Sequence, residues 1–194
     1  MKNSKKIIKK ISLILSLLML LSFATGCSNM DDNTDGVEAP DGMVGVTNDA
    51  IHFSVCYPQS WICDRNDGMV TMSPSVSSGS KASVSVAETA ALAEETTAED
   101  YWDKCKDELE NSGSKCNFIE RKERKIGGVD AIEAIYGMEV GGTVYKVTQI
   151  FAYKYIDSSH RVFTITFTGT EADYENKDIT SAFNSIVGTF AFKG

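Results

Sequence analysis

Cysteine and histidine are the side chains in this sequence that could take part in redox chemistry, zinc binding or nucleophilic catalysis. A redox centre commonly uses a low-pKa thiolate in a Cys-x-x-Cys motif, and zinc is held by closely spaced pairs of ligands. No two cysteines have the Cys-x-x-Cys spacing, and the two histidines are far apart in the chain, so a histidine-based triad has few ways to form. The residues concerned are Cys27, Cys56, Cys63, Cys105, Cys116, His52 and His160.

Cys27 differs from the other cysteines because it ends a segment typical of export signals. A lysine-rich start precedes an apolar run from Ile11 to Phe23, and the small residues Ala24-Thr25-Gly26 lead directly to the cysteine. A basic start, a short apolar core and a small-residue exit define a secretory signal peptide. The last four residues also resemble the bacterial lipobox, in which the thiol accepts a diacylglycerol. We therefore predict a lipoprotein signal peptide over residues 1–26 and lipid attachment at Cys27, the alternative being an ordinary cleaved signal with an incidental cysteine.

Export would place the other four cysteines in a compartment where disulfides form. An even number of cysteines is then read as a disulfide framework, and four cysteines allow three pairings. Cys56 and Cys63 flank the turn at Pro58, whereas Cys105 and Cys116 lie on a predicted helix and on the strand that follows it. We therefore favour the pairs Cys56–Cys63 and Cys105–Cys116.

The charge of the chain narrows the range of partners. The leader holds five of the 19 basic residues and none of the 27 acidic ones, so the chain without it has a net charge of about −13. Such a surface repels phosphate backbones and anionic headgroups, which argues against nucleic-acid binding. Cationic partners and metal ions are permitted, although acidity also simply favours solubility. The expected partners are the membrane, through the lipid, and a protein of the cell envelope, with no cofactor.

Residues 27–48 have the composition of an acidic, flexible tether. They are rich in aspartate and glycine and poor in large apolar groups. The alternation of ligands and the closing glutamate of an EF-hand calcium loop are both absent. Residues 49–194 then have the length and apolar content of one domain.

Patterning in residues 49–194 predicts an α+β fold, with a central antiparallel β-sheet flanked by two main helices. Capping chemistry at Thr96-Thr97 predicts a helix from Ala98 to Leu109, and Thr170 begins a second helix whose apolar stripe runs from Ile179 to Val187. Double-glycine and short polar connections favour hairpins. The predicted strands cover residues 53–57, 61–72, 83–86, 118–126, 129–140, 143–155 and 161–168, with a short apolar return at 189–192.

Three segments in this order resemble the PsbP/Mog1-like domain family, which is also found in bacterial lipoproteins. They read FSVCYPQSW at 53–61, GGVDA at 127–131 and FTITF at 163–167. The resemblance covers residues 49–194 and implies a central antiparallel sheet flanked by helices. What members of this family share is binding and accessory work, and no functional residue of those relatives maps onto a position here.

These observations predict a lipid-anchored, extracytoplasmic binding or accessory protein that is not an enzyme, held on the outer face of the bacterial cell membrane. The sequence contains no nucleophile elbow, P-loop, dinucleotide fingerprint or zinc-protease helix. Two alternatives stay open: a metal-ion-handling lipoprotein, because of the net acidity, and a hydrolase that uses paired carboxylates. Trp61, Tyr101 and Trp102 are expected in the core rather than at a ligand.

Overall fold

Alternating apolar residues give this chain a fold dominated by strands. The structure, a computed structural model, describes residues 37–47, 51–66, 68–112 and 115–194. The strands in these segments are β1 (Met43–Val46), β2 (Phe53–Pro58), β3 (Trp61–Asn66), β4 (Met69–Pro74), β5 (Ser83–Glu88), β6 (Cys116–Ile126), β7 (Val129–Val140), β8 (Thr143–Ile156), β9 (Ser159–Gly169) and β10 (Ala191–Phe192). The helices are α1 (Ala98–Asn111), α2 (Glu171–Glu175) and α3 (Lys177–Thr189), with one 3-10 turn at Val76–Ser78.

The strands form two antiparallel sheets of different size. Seven of them make the large sheet, in the order β3-β4-β5-β9-β8-β7-β6. The small sheet has the order β1-β2-β10. The predicted α+β class, with a large antiparallel sheet and flanking helices, is confirmed.

Each face of the large sheet buries a separate apolar cluster. On one face α1 places Trp102 against the rings of Tyr136, Phe151 and Phe118. On the other face α3 and the small sheet pack over the middle strands, and this cluster is the larger of the two. Because side chains alternate along a strand, the same strands supply both clusters.

Two predicted elements are interrupted by turns. The strand predicted from residue 61 to 72 is a hairpin, β3 and β4, with Gly68 in the turn at a positive φ of 76°. The helix predicted from Thr170 is two helices, because the chain leaves helical geometry at Asn176. The Asn176 side chain accepts hydrogen bonds from the backbone N–H groups of Asp178 and Ile179, and so begins α3 as a new helix.

The predicted tether of residues 27–48 ends too late. Its last part contains β1, which pairs with β2 from Met43 opposite Pro58 to Val46 opposite Val55. Val46 is fully buried in the larger cluster. A four-residue strand that follows Gly42 and itself contains Gly45 carries little apolar patterning, so the composition of the segment did not reveal its pairing with β2. The domain therefore includes residues before 49, and the remainder of the tether up to residue 36 lies outside the described residues.

Asp173 fastens the start of α2 to the segment before β5. Its carboxylate accepts hydrogen bonds from the Ser80 hydroxyl (2.6 Å), the Thr170 N–H (2.8 Å) and the Thr170 hydroxyl (2.7 Å). Burial alone would raise the pKa of Asp173, but these donors outweigh it and hold the pKa below its usual value.

We expect Asp173→Asn to lower the free energy of unfolding by about 1–2 kcal/mol near neutral pH. The folded pKa is lowered, so this stability is present above the unfolded value of about 3.9 and is lost as the pH falls through the folded pKa. Urea unfolding between pH 7 and pH 3 measures the difference, which should shrink in acid. Asp41→Asn, at an exposed site, is the control, and a difference from wild type that does not depend on pH would contradict the assignment.

Candidate functional site

A concave surface lies at the N-terminal end of α1. This Tyr153 cleft has a volume of about 520 Å³, within the range of small-ligand sites. Three separate segments build it: the approach to α1 from Glu95 to Glu99, the end of the β6–β7 hairpin, and Tyr153 on β8. The hairpin contributes Glu123, Arg124, Val129, Asp130, Ala131 and Ile132.

The wall made by α1 is fixed by a capping interaction. The Thr97 hydroxyl oxygen accepts a hydrogen bond from the Asp100 N–H (3.0 Å), and the hydroxyl donates to the Asp100 carboxylate (2.8 Å). Of the two threonines at which capping was predicted, Thr97 is the cap, and with Asp100 it starts the helix at Ala98. Thr97 and Asp100 therefore fix where the first turn of α1 stands in the cleft wall.

Ion pairs divide the four carboxylates of the cleft into two kinds. Glu99 pairs with Arg121, and Asp130 pairs with Lys125. Glu95 and Glu123 form no ion pair within the described part of the chain. The cleft therefore presents two carboxylates that no cation in the described segments neutralises.

The cation in the cleft wall is already engaged behind it. Arg124 pairs with Glu133, a carboxylate on β7 whose side chain is 6% exposed, and Lys122 binds the other oxygen of Glu133 at 2.8 Å. The hydrogen bond to Glu133 raises the pKa of Lys122. Two cations share one carboxylate, so this cluster keeps one net positive charge, which offsets part of the negative charge of the four cleft carboxylates.

Tyr153 supplies the aromatic side of the cleft. Desolvation and the nearby Glu95 carboxylate raise the pKa of its phenol, so Tyr153 stays neutral at physiological pH. Its hydroxyl bonds to Nδ1 of His160, and the His160 ring lies against both Tyr153 and Tyr155, with centroids 5.9 and 4.9 Å away. His160 thereby fixes the position of Tyr153, whose side chain lines the cleft.

The structure does not bring the two histidines together. The backbone N–H of His52 donates a hydrogen bond to the buried carboxylate of Glu88 (2.8 Å), and the ring Nδ1 of His52 lies 3.0 Å from the same carboxylate. The ring Nε2 lies 3.3 Å from Asp157. Arg161 also reaches Glu88, at 3.2 Å. This ionic cluster connects the start of β2 to the large sheet, so the role of His52 is structural.

Neither predicted disulfide is formed, because the four cysteines are free thiols. Cys56 lies in the small sheet and Cys63 in the large one, and both are buried in their own packing. Cys105 and Cys116 pack as apolar side chains against the cluster around Trp102. Burial raises the pKa of all four thiols, for Cys105 to about 12, so they stay protonated near neutral pH.

Cys27, the predicted lipid-attachment residue, lies outside the described residues. In the segments that the structure does describe, no helix has the length and apolar character needed to cross a membrane. Those segments also contain no group of three or more histidine, cysteine, aspartate or glutamate side chains that could hold a metal ion.

Comparison with known proteins identifies the fold. No family model matches the chain, and no curated protein matches its sequence. The solution structure of cyanobacterial PsbP (CyanoP) from Synechocystis sp. PCC 6803 superposes with a TM-score of 0.55 at 16% identity, over 87% of this chain and 98% of that one. The chain has a PsbP/Mog1-like fold.

Two further solved structures are similar over much of their length. LpqN of Mycobacterium tuberculosis, described as involved in cell envelope biogenesis, matches with a TM-score of 0.48 at 13% identity, over 81% of this chain and 82% of that one. A mutant of the protein Mog1 matches with a TM-score of 0.47 at 10% identity, over 73% and 90%. It is the superposition on cyanobacterial PsbP that confirms, at the level of fold, the PsbP/Mog1-like resemblance seen in the sequence.

The sequence did not single out the Tyr153 cleft. Its residues come from three distant segments, and none belongs to a catalytic or ligand motif. The available signals were the acidic approach to the Thr97 cap and the strand alternation that places Tyr153 on the same face as Phe151. Trp102 is in the core as expected, whereas Trp61 is only half-buried.

The free thiols lead to a direct test. A fragment covering residues 37–194 contains the four domain cysteines without Cys27. Unfolded in denaturant without reductant, it should show four reactive thiols in an assay with a chromogenic disulfide. In native buffer those thiols should react slowly, because all four are protonated and Cys56 and Cys63 are also buried. A reduced sample is the control. A denatured fragment with two thiols or none would restore the disulfide framework.

Proposed function

We propose that this protein is a lipid-anchored, non-enzymatic binding or accessory protein on the extracytoplasmic face of the bacterial cell membrane. The leader and the Ala24-Thr25-Gly26-Cys27 motif support export and acylation. Acyl chains contribute about 0.8 kcal/mol of binding energy for each buried CH₂ group, so a diacylated, N-acylated cysteine holds a soluble domain stably on a bilayer.

The Tyr153 cleft is the proposed binding site for a positively charged segment of an envelope protein. The observation that carries this assignment is the pair of unneutralised carboxylates, Glu95 and Glu123, beside the neutral ring of Tyr153. A lysine or arginine side chain complements such a site in two ways, since its charge pairs with carboxylates and its stem or guanidinium packs on an aromatic ring.

Two of the four carboxylates of the Tyr153 cleft, Glu99 and Asp130, are engaged by Arg121 and Lys125, so Glu95 and Glu123 are the two that a bound cation would meet. The site also differs from the anion sites usual at helix N-termini, because Glu99 and Asp100 supply negative charge to the first turn of α1.

Lipid attachment is tested by metabolic labelling with a fatty-acid analogue. The wild-type protein should carry the label on a peptide that begins at Cys27, and Cys27→Ser should carry none, because the serine hydroxyl does not replace the thiol as acyl acceptor. Cys56→Ser, which alters a buried cysteine of the domain, should stay labelled. An unlabelled wild-type protein with an uncut N-terminus would overturn the proposed anchor.

Cation binding is tested with pentalysine as the probe. Calorimetric titration should show binding that weakens about threefold to tenfold in the Glu95→Gln/Glu123→Gln double variant, since exposed ion pairs are each worth about 0.2–1 kcal/mol. Added salt should weaken the wild-type interaction as well. The matched control is Glu110→Gln, at an exposed carboxylate at the other end of α1. Equal affinities in the double variant and the control would place the binding site elsewhere.

A further inference from the structure

A second cleft opens where the small sheet passes into the large one. This Trp61 cleft, about 320 Å³ in volume, is lined by the end of β2, the start of β3, the β4–β5 connection and the first turn and a half of α3. It shares no lining residue with the Tyr153 cleft. We propose that it binds one ring of a neutral saccharide, a role that goes beyond the proposed function.

Trp61 provides a rigid aromatic wall for this cleft. Its ring packs in part against the larger apolar cluster, yet the residue is only half-buried and lines the open space. It pairs in register with Pro74, and Pro58 lies on the same rim. Prolines restrict the backbone on both sides, so a ligand that covers Trp61 orders little additional chain. The C–H face of a sugar ring is apolar and flat enough to cover such an indole.

The opposite wall offers hydrogen-bond donors and acceptors. The side-chain oxygen of Asn176, Oδ1, caps α3. The side-chain NH₂ of Asn176 is left without a partner among the described residues. Asp178 is exposed and forms no ion pair within those residues. The hydroxyl of Ser60 adds a group that both donates and accepts. Sugar hydroxyls also donate and accept, so they match a wall that mixes amide, carboxylate and hydroxyl.

Charge selects among the polar ligands that could enter. No lysine, arginine or histidine lines the Trp61 cleft, and Asp178 is the charged residue in its wall. Phosphates, sulfates and uronic acids would therefore meet an unneutralised carboxylate without any compensating cation. One carboxylate is also too few for a metal ion, which takes several oxygen ligands. A neutral sugar avoids both problems and uses the aromatic wall.

Apolar surface continues beyond the cleft. Val76, on the 3-10 turn that also carries Ser78, is 88% exposed. A neighbouring ring of an oligosaccharide has a place to lie there, so longer chains should bind more tightly than single sugars.

The test uses the full chain in detergent and tryptophan fluorescence. The chain has two tryptophans, and Trp102 is buried at 3% exposure, so a ligand-induced change in emission reports on Trp61. The probes are three neutral tetrasaccharides (of N-acetylglucosamine, β-glucose and α-glucose), an acidic tetrasaccharide of galacturonic acid and a neutral hydrophilic peptide. We expect at least one neutral tetrasaccharide to shift the emission with saturation, and the acidic one and the peptide not to.

Variants locate the site by calorimetry. Trp61→Ala should raise the Kd for the binding tetrasaccharide about tenfold, as expected for the loss of a central aromatic contact, and Trp61→Phe should retain part of the affinity. Asp178→Ala, at an exposed position that does not threaten the fold, should weaken binding about fivefold. Ile119→Ser, exposed on the far edge strand, is the control and should change nothing.

Three results would overturn the saccharide site. They are the absence of binding by all three neutral tetrasaccharides, equal Kd values in Asp178→Ala, Trp61→Phe and the control, and binding of the acidic tetrasaccharide or the peptide as tightly as the neutral ones. None of these results bears on pentalysine binding or on acylation, so the saccharide site and the proposed function are tested independently.

Discussion

Phe163, on the central strand β9, is the point at which the two sheets are joined. Its ring contacts Phe53 of β2 edge-on at 6.4 Å, Phe190 at the end of α3 at 6.2 Å and Phe192 of β10 at 4.9 Å. Phe53 and Phe190 stack at 5.9 Å, and Phe190 meets Phe192 at 4.9 Å. Aromatic rings bury much apolar area in fixed relative orientations, so this cluster sets how α3 and the small sheet sit on the large one. The Trp61 cleft, whose walls come from all three parts, depends directly on that arrangement.

The strength of local patterning decided how far the sequence could predict the fold. Phe163, Ile165 and Phe167 alternate with threonines, and the helix predicted to begin at Thr170 does begin there, with Asp173 completing a capping box. β1 was missed because Val44 and Val46 are apolar residues in a short, glycine-containing segment, and their burial depends on a partner strand that follows in the chain. Local preference identified the elements, whereas long-range pairing decided which segment joined which sheet.

The clefts and the cysteines show where prediction from sequence fails for physical reasons. The Tyr153 cleft exists because the Thr97 cap, the β6–β7 hairpin and Tyr153 converge, and no spacing along the chain encodes that approach. The cysteine pairs looked suitable because their separations are short. Cys56 and Cys63 nevertheless belong to different sheets, and Cys105 packs as a partly buried apolar side chain against the cluster around Trp102. Proximity along a chain therefore did not translate into the alignment that a covalent bridge requires.

The charged strand β6 has a role at the border of the large sheet. Charged residues run from Glu120 to Lys125, and a register shift after Phe118 interrupts its pairing with β7. Several of these cations are neutralised by acids of the same domain, including Glu99 and Glu133. An unpaired strand edge is a template for a second chain, and charges and irregularities of this kind make such pairing costly. On a surface crowded with copies of this domain, the charges of β6 would thus oppose strand-to-strand pairing along this edge.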